Sequence, residues 1–209
     1  MSTYSLEGLI KAFFIKPPKR RIPSAVCTSM AAIDYIANCV NRTALTTVVP
    51  SANTLYAYPF WAPSRKSTIG RLAIENTTTN GTQLARIGLY RNVINPRSFY
   101  PGDLLVDSGN LALSAAAIQT YASSQELEPN ILYWLVFNTD GTRTFRALSV
   151  NAISTMLGIA TGTSGTANPF NLGIIVASTF GAMPSTYPGS GAYITGTTAQ
   201  IALRYQFSG

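Results

Sequence analysis

Two different periods divide this sequence. Near its start Leu6, Leu9, Ile10, Phe13 and Phe14 recur three and four positions apart, the spacing that lines one face of a helix. Ser2, Thr3 or Ser5 can cap that helix, and it must stop before Pro17, because a residue preceding proline avoids the helical region. Prolines 17, 18 and 23 then predict an extended connector over 17–25, and its run Lys16-Pro17-Pro18-Lys19-Arg20-Arg21 concentrates positive charge. Thr28 and Ser29 can start a second short helix, with Met30, Ile33, Ala37 and Val40 on one face and Ile36 beside them. A helix this short needs a partner surface to persist.

From Leu45 the period becomes two. Strands are predicted at Leu45–Val49, Leu55–Phe60, Thr68–Glu75, Gln83–Arg91, Ile131–Asn138, Thr144–Val150, Leu172–Ser178 and Ala199–Phe207. The last shows the alternation most clearly, with Ile201, Leu203, Tyr205 and Phe207 on one side and Gln200, Ala202, Arg204 and Gln206 on the other. By contrast Ile131–Phe137 is apolar on both sides, so it should lie centrally or have its outer face covered by another subunit. Asn80-Gly81 and Asp140-Gly141 fall between successive strands and predict two hairpin turns. Asn92–Gly109, 158–171 and Gly181–Gly196 are rich in Gly, Pro, Thr or Ser and read as long loops, which in a compact β-domain are usually functional or held by neighbouring chains. The fold class predicted is mainly β, an antiparallel sandwich or jelly-roll over 45–209 behind an N-terminal arm, 1–44, with one or two short helices.

Composition fits a subunit. Only 11% of residues are charged while 46% are apolar, as expected for a surface largely covered by neighbours. Five bases against Glu7 place +4 of the net +7 in the first 26 residues. The remainder has ten bases, nine of them Arg, and no Lys/Arg cluster beyond Arg65-Lys66, which argues against a nucleic-acid groove there. The arm could touch phosphates, but it suits an acidic protein surface at least as well. No apolar run approaches a membrane span. The first apolar run lacks the charge-first order and cleavage site of a secretory signal, so Cys27 and Cys39 read as buried free thiols rather than a disulfide.

The chain has no histidine, which removes Ser-His-Asp and Cys-His catalysis and imidazole metal sites. Two carboxylates flanking a bond would suffice for glycoside hydrolysis. The close pairs are Asp103/Asp107 and Glu126/Glu128, and solvated loop acids are the simpler reading of both; either could also form a weak calcium site. Gly158, Gly162 and Gly165 lack the Lys and following helix of a phosphate loop. No enzyme activity, cofactor or metal is therefore expected. Tyr56, Tyr58, Phe60, Trp61, Tyr133 and Trp134 are core by position. Phe99, Tyr100, Tyr187 and Tyr193 lie in loops, where a ring can stack on a sugar or fill a neighbour's pocket.

Four segments carry a resemblance. They are Arg86-Ile87-Gly88-Leu89-Tyr90; Pro101-Gly102-Asp103-Leu104-Leu105-Val106-Asp107-Ser108-Gly109; Leu127-Glu128-Pro129-Asn130-Ile131-Leu132-Tyr133-Trp134-Leu135 with Arg143–Leu148 after it; and Phe180-Gly181-Ala182-Met183-Pro184-Ser185-Thr186-Tyr187-Pro188. Their order over residues 45–209 resembles a β-sandwich module of virion appendage proteins of tailed bacteriophages, such as tail fibres, head fibres and decorations. The resemblance implies a structural virion protein assembled in the host cytoplasm, oligomeric with a trimer favoured, and displaying its β-domain outward. The long shaft of a fibre is missing, which favours a compact decoration, a cement protein or a short fibre. Leu6, Leu9, Ile10, Phe13, Phe14, Lys16, Lys19, Arg20 and Arg21 would dock on a capsid or tail protein. The alternative expectation is a receptor-binding module that holds host polysaccharide through Phe99, Tyr100, Tyr187 and Tyr193.

Overall fold

A computed structural model describes residues 36–37, 45–79, 81–93, 99–148, 173–194, 200–201 and 204–208. Among them all regular structure is strand: β1 (Ile36–Ala37), β2 (Leu45–Val48), β3 (Thr54–Trp61), β4 (Ser67–Asn76), β5 (Leu84–Asn92), β6 (Pro101–Asp107), β7 (Leu111–Ala112), β8 (Ala117–Leu127), β9 (Leu132–Thr139), β10 (Phe145–Leu148), β11 (Ile174–Ala177), β12 (Ala192–Tyr193), β13 (Gln200–Ile201) and β14 (Arg204–Ser208). Every pairing is antiparallel, in two sheets. The first sheet centres on β4, with β8 on one edge and β14 and β10 on the other; β1, β2 and β13 extend it. The second runs β12-β11-β3-β9-β5-β6, and β7 also pairs with β5.

Ile69, Leu72, Ile74, Leu127 and Phe145 of the first sheet bury against Tyr58, Phe60, Ile87, Leu89, Tyr133, Leu135 and Phe137 of the second. This common core packs the sheets face to face. Ile69 and Leu72 share that face although they are three residues apart, because a bulge shifts the register between Ile69 and Arg71. In β14, Tyr205 lies opposite Leu72 and Phe207 opposite Ile69.

Among the described strands the chain changes sheet at eight of thirteen connections, two of which correct both predicted hairpins. β4 and β5 flank Asn80-Gly81 and β9 and β10 flank Asp140-Gly141, yet each pair is divided between the two sheets. Neither Asp140 nor Gly141 has positive φ, so no primed turn forms there, and Gly81 has none either. The two connections instead meet at one corner of the molecule. Leu84 N–H donates to Asp140 Oδ1 at 2.8 Å, Arg143 Nε donates to Gln83 Oε1 at 2.7 Å, and Thr77 N–H donates to the Thr144 carbonyl at 2.9 Å. Buried Asn76 donates to the Leu113 and Ala115 carbonyls at 3.1 and 2.9 Å, tying β4 to the segment before β8.

Three further corrections concern elements, the first being that the predicted loop Gly181–Gly196 contains the short strand β12, paired with β11. The predicted loop Asn92–Gly109 contains β6, which begins at Pro101, where a missing N–H is tolerated. Ile36 and Ala37, predicted as helical, are extended and pair with Tyr205 and Arg204. The rest of that helix, the first helix, Cys27, Cys39 and the 158–171 loop lie outside the described residues.

Candidate functional site

The outer face of the second sheet is where sequence segments far apart converge. β9 is buried along its whole length. Tyr133, Leu135 and Phe137 face the common core, while Leu132, Trp134 and Val136 join Leu55, Ala57, Tyr90 and Ile174 on the opposite side. That opposite side is covered by the chain itself. Met183 and Tyr187, carried on an irregular strap over residues 178–191, complete a second buried cluster, with Phe99, Tyr100 and Leu104 at its margin. β9 is thus central, between β3 and β5, and its outer face is covered by the chain's own strap, not by another subunit.

Backbone polar groups fasten the strap along its length, as an irregular segment packed on a sheet requires. At one end Ser178 N–H donates to the Asn53 carbonyl at 2.9 Å, and Phe180 N–H donates to Asn53 Oδ1 at 2.8 Å. Asn53 has φ 55°, a conformation that Asn accepts more readily than most residues. Next, Met183 N–H donates to Asp107 Oδ2 at 3.0 Å, and Tyr90 Oη donates to the Pro184 carbonyl at 2.7 Å. The strap then runs beside β6: Leu104 N–H donates to the Ser185 carbonyl at 2.8 Å and Tyr187 N–H to the Gly102 carbonyl at 2.9 Å. Tyr100 closes the far end, donating to the Pro188 carbonyl at 2.7 Å and accepting from Gly191 N–H at 2.9 Å.

Two tyrosines from other segments, Tyr90 and Tyr100, therefore clasp the strap around its own Tyr187. Tyr187 meets Tyr90 and Tyr100 edge-on, with centroids 5.5 and 5.8 Å apart. Tyr187 is only 3% exposed, and its hydroxyl reaches the Leu55 and Ile174 carbonyls at 3.3 and 3.4 Å. Burial pushes the pKa of both Tyr187 and Tyr90 well above the ordinary phenol value, and the Asp107 charge adds to the effect at Tyr90. Met183 packs where β5 carries Gly88; a Cβ there would collide with the Met183 sulfur and lie 2.9 Å from the Val106 carbonyl oxygen.

This geometry corrects the sugar-binding expectation at Tyr187, whose ring is consumed by internal packing. Phe99 and Tyr100 are half-buried against the same cluster. The backbone of Tyr193 pairs in β12 with Ile174.

The carboxylates are equally engaged. Asp107 Oδ2 forms an ion pair with Arg86 Nη1 at 2.6 Å, and Oδ1 accepts from Gly109 N–H at 2.9 Å. Arg86 also donates to Asn110 Oδ1 at 2.9 Å and lies 6.0 Å from the Phe180 ring centroid. Asp103 is exposed, bridges to Thr186 of the strap, and lies 3.5 Å from its hydroxyl. Glu126 pairs with Lys66 at 2.6 Å and Glu128 with Arg91 at 2.8 Å, so this pair is divided between two bases. No group of His, Cys, Asp and Glu among the described residues could hold a metal ion. The arm residues Leu6 to Arg21 and the glycines at 158, 162 and 165 lie outside the described residues.

Sequence reasoning singled out Asp103, Asp107, Tyr100 and Tyr187, and the structure brings all four to the strap. It missed Asn53, Arg86 and Met183 as fasteners and Tyr90 as the central clasp. The segments Arg86–Tyr90, Pro101–Gly109 and Phe180–Pro188 do become spatial neighbours. No known family model matches the chain, and no curated protein matches it.

Proposed function

We propose that this chain is a structural virion subunit of a tailed bacteriophage, assembled in the host cytoplasm, anchored by its N-terminal arm and displaying a jelly-roll-like β-sandwich. The observation that carries this reading is a division of labour. An amphipathic, cationic segment over residues 1–26 precedes a domain whose described carboxylates all have structural partners. Asp107 and Asp103 hold the strap, Asp140 caps Leu84, and Glu75, Glu126 and Glu128 pair with Arg146, Lys66 and Arg91. Acids committed in this way support a display module over a carboxylate hydrolase. The repeated crossings between the two sheets, from β2 to β5 and from β7 to β11, support the jelly-roll description.

In this reading Leu6, Leu9, Ile10, Phe13 and Phe14 seat in an apolar groove on a capsid or tail protein, while Lys16, Lys19, Arg20 and Arg21 meet acidic groups at its rim. The chain works as a compact decoration, cement protein or short fibre, and self-association accounts for its low surface charge. Deleting residues 2–22 tests the proposal. The truncated chain should keep its β-type circular dichroism and cooperative melt but be missing from purified particles. Incorporation at the wild-type level would overturn it.

A further inference from the structure

The two sheets part at one flank. There β6 closes the second sheet, and β8 pairs only with β4 among the described residues. β1, β2 and every strand from β10 onward lie across the sheets from this flank. Between β6 and β8 runs an open cleft of about 550 Å³, walled by residues 105–107 on one side and 121–125 on the other. Small-molecule sites have volumes of this order.

Both walls carry a bulge. On β6, Val106 lies opposite Leu89 and Leu104 opposite Tyr90, so Leu105 is an extra residue. On β8, Ala122 lies opposite Arg71 and Gln125 opposite Ile69, so Ser123 and Ser124 stand against Gly70 alone. Bulges interrupt regular pairing, re-aim side chains and concentrate beside functional sites. The first lets Leu105 and Val106 both pack against the common core. At the second, Gln125 N–H donates to Ser123 Oγ at 3.2 Å, which fixes the local backbone.

The core side of β8 is polar where a closed sandwich would be apolar. Gln119, Tyr121 and Gln125 lie opposite Ile74, Leu72 and Ile69 of the common core, and directly opposed residues share a face. Among the described residues neither Tyr121 Oη nor Ser124 Oγ has a hydrogen-bond partner. The cleft therefore offers one half-buried aromatic ring, two hydroxyls and an amide from β8, beside apolar Leu105 and Val106. Its single charge is already neutralised, since Asp107 pairs with Arg86 at 2.6 Å and accepts from Met183 N–H at 3.0 Å.

We propose that this cleft binds a neutral oligosaccharide. A pyranose has the two matching surfaces: an apolar C–H face for the Tyr121 ring, and a rim of hydroxyls that donate to and accept from Ser and Gln side chains. Other chemistries fit less well. An anion would meet the Asp107 carboxylate with no Lys or Arg on either wall, and a cation would compete with Arg86. A hydrocarbon would desolvate the hydroxyls and the amide without giving them partners. The site is separate from the strap and its aromatics, and it does not depend on the arm or on any particle.

Heteronuclear NMR of the full-length chain tests this. The probes are cellotriose, maltotriose and triacetylchitotriose, with trigalacturonic acid as the acidic comparator, each at about 10 mM, enough to populate a site of millimolar affinity. At least one neutral trisaccharide should shift the amides of Leu105, Tyr121, Ser123 and Ser124, and trigalacturonate should not. Tyr121→Ala should weaken that binding about tenfold and Ser124→Ala about threefold, while Thr142→Ala at the corner leaves it unchanged. Ser124 is exposed, so its variant gives the reading even where Tyr121→Ala does not fold. No shifts with any neutral probe, shifts confined to residues outside the cleft, an equal response to trigalacturonate, or binding indifferent to Ser124→Ala and to a folded Tyr121→Ala would each overturn the proposal.

Discussion

The backbone N–H of Met183 donates to Asp107 Oδ2 at 3.0 Å, and that same oxygen holds Arg86 Nη1 at 2.6 Å. One carboxylate atom thus joins the strap to the sheet beneath it. The Arg86 and Asp107 side chains are 15% and 20% exposed, so the pair is poorly screened by solvent. Asp107→Ala would leave the guanidinium without its counter-charge and the strap amide without its acceptor. The expected loss of stability is about 3 kcal/mol, read by urea denaturation. Amide exchange at Met183 should accelerate more than exchange within β9, and equal protection at both would show that the strap is not fastened there.

The buried tyrosines set an alkaline limit. Both Tyr90 and Tyr187 have folded pKa values raised above the ordinary value of 10.0. Below pH 10 both states are protonated and the full stability is present. Above it the unfolded chain releases protons that the folded chain retains, so stability falls as pH rises, by about 1.4 kcal/mol per pH unit for each group. Denaturation between pH 9 and 11.5 should show this slope, and Tyr187→Phe should remove about half of it. At neutral pH the same variant loses only one long hydrogen bond, shared between the Leu55 and Ile174 carbonyls, about 1 kcal/mol, whereas Tyr187→Ala empties the second cluster and costs about 4 kcal/mol.

Strand positions were largely legible because burial alternates with residue number. β3, β4, β5, β9 and β11 each fall within two residues of the expected limits at both ends. β8 escaped because its inward positions are Gln119, Tyr121, Ser123 and Gln125, half-buried at an edge rather than apolar. β6 escaped because Pro101-Gly102 reads as a turn, although proline at the first residue of a strand costs no ladder bond. The hairpins were misread because a turn dipeptide between two alternating runs looks the same whether the second strand pairs with the first or crosses to the facing sheet. The strap reads in the sequence only as a long loop: Met183 and Tyr187 are placed by the apolar outer face of β9, which the sequence leaves either central or covered by another subunit.

The corner depends on Asn76. The two N–H groups of its side-chain amide serve three carbonyls, those of Thr78 at 2.8 Å, Ala115 at 2.9 Å and Leu113 at 3.1 Å, one N–H being shared, and its oxygen accepts from the Thr78 hydroxyl at 2.9 Å. Asn76→Leu keeps the volume but leaves these acceptors in a buried site. A loss of about 3 kcal/mol is expected by denaturation, because unmade buried hydrogen bonds cost more than made ones contribute. Asn76→Asp should be no better, since a carboxylate cannot donate.

Gly141 separates the crossover from the hairpin it resembles. In a primed turn, replacing this glycine costs stability because of the φ it must adopt, and the cost is the same whatever lies nearby. Here Gly141 has no positive φ, and a Cβ would instead strike the Gln83 side chain, with the Gln83 Cβ and Cδ both 3.4 Å away. Gln83 cannot yield freely because its amide oxygen accepts from Arg143 Nε at 2.7 Å. Gly141→Ala should therefore cost about 2 kcal/mol through overpacking. The same substitution in a Gln83→Ala background should cost less than half as much, because the obstructing chain is gone. A double-mutant cycle by urea denaturation reads this coupling directly. A cost that is unchanged without Gln83 would assign the glycine to backbone conformation and restore the turn.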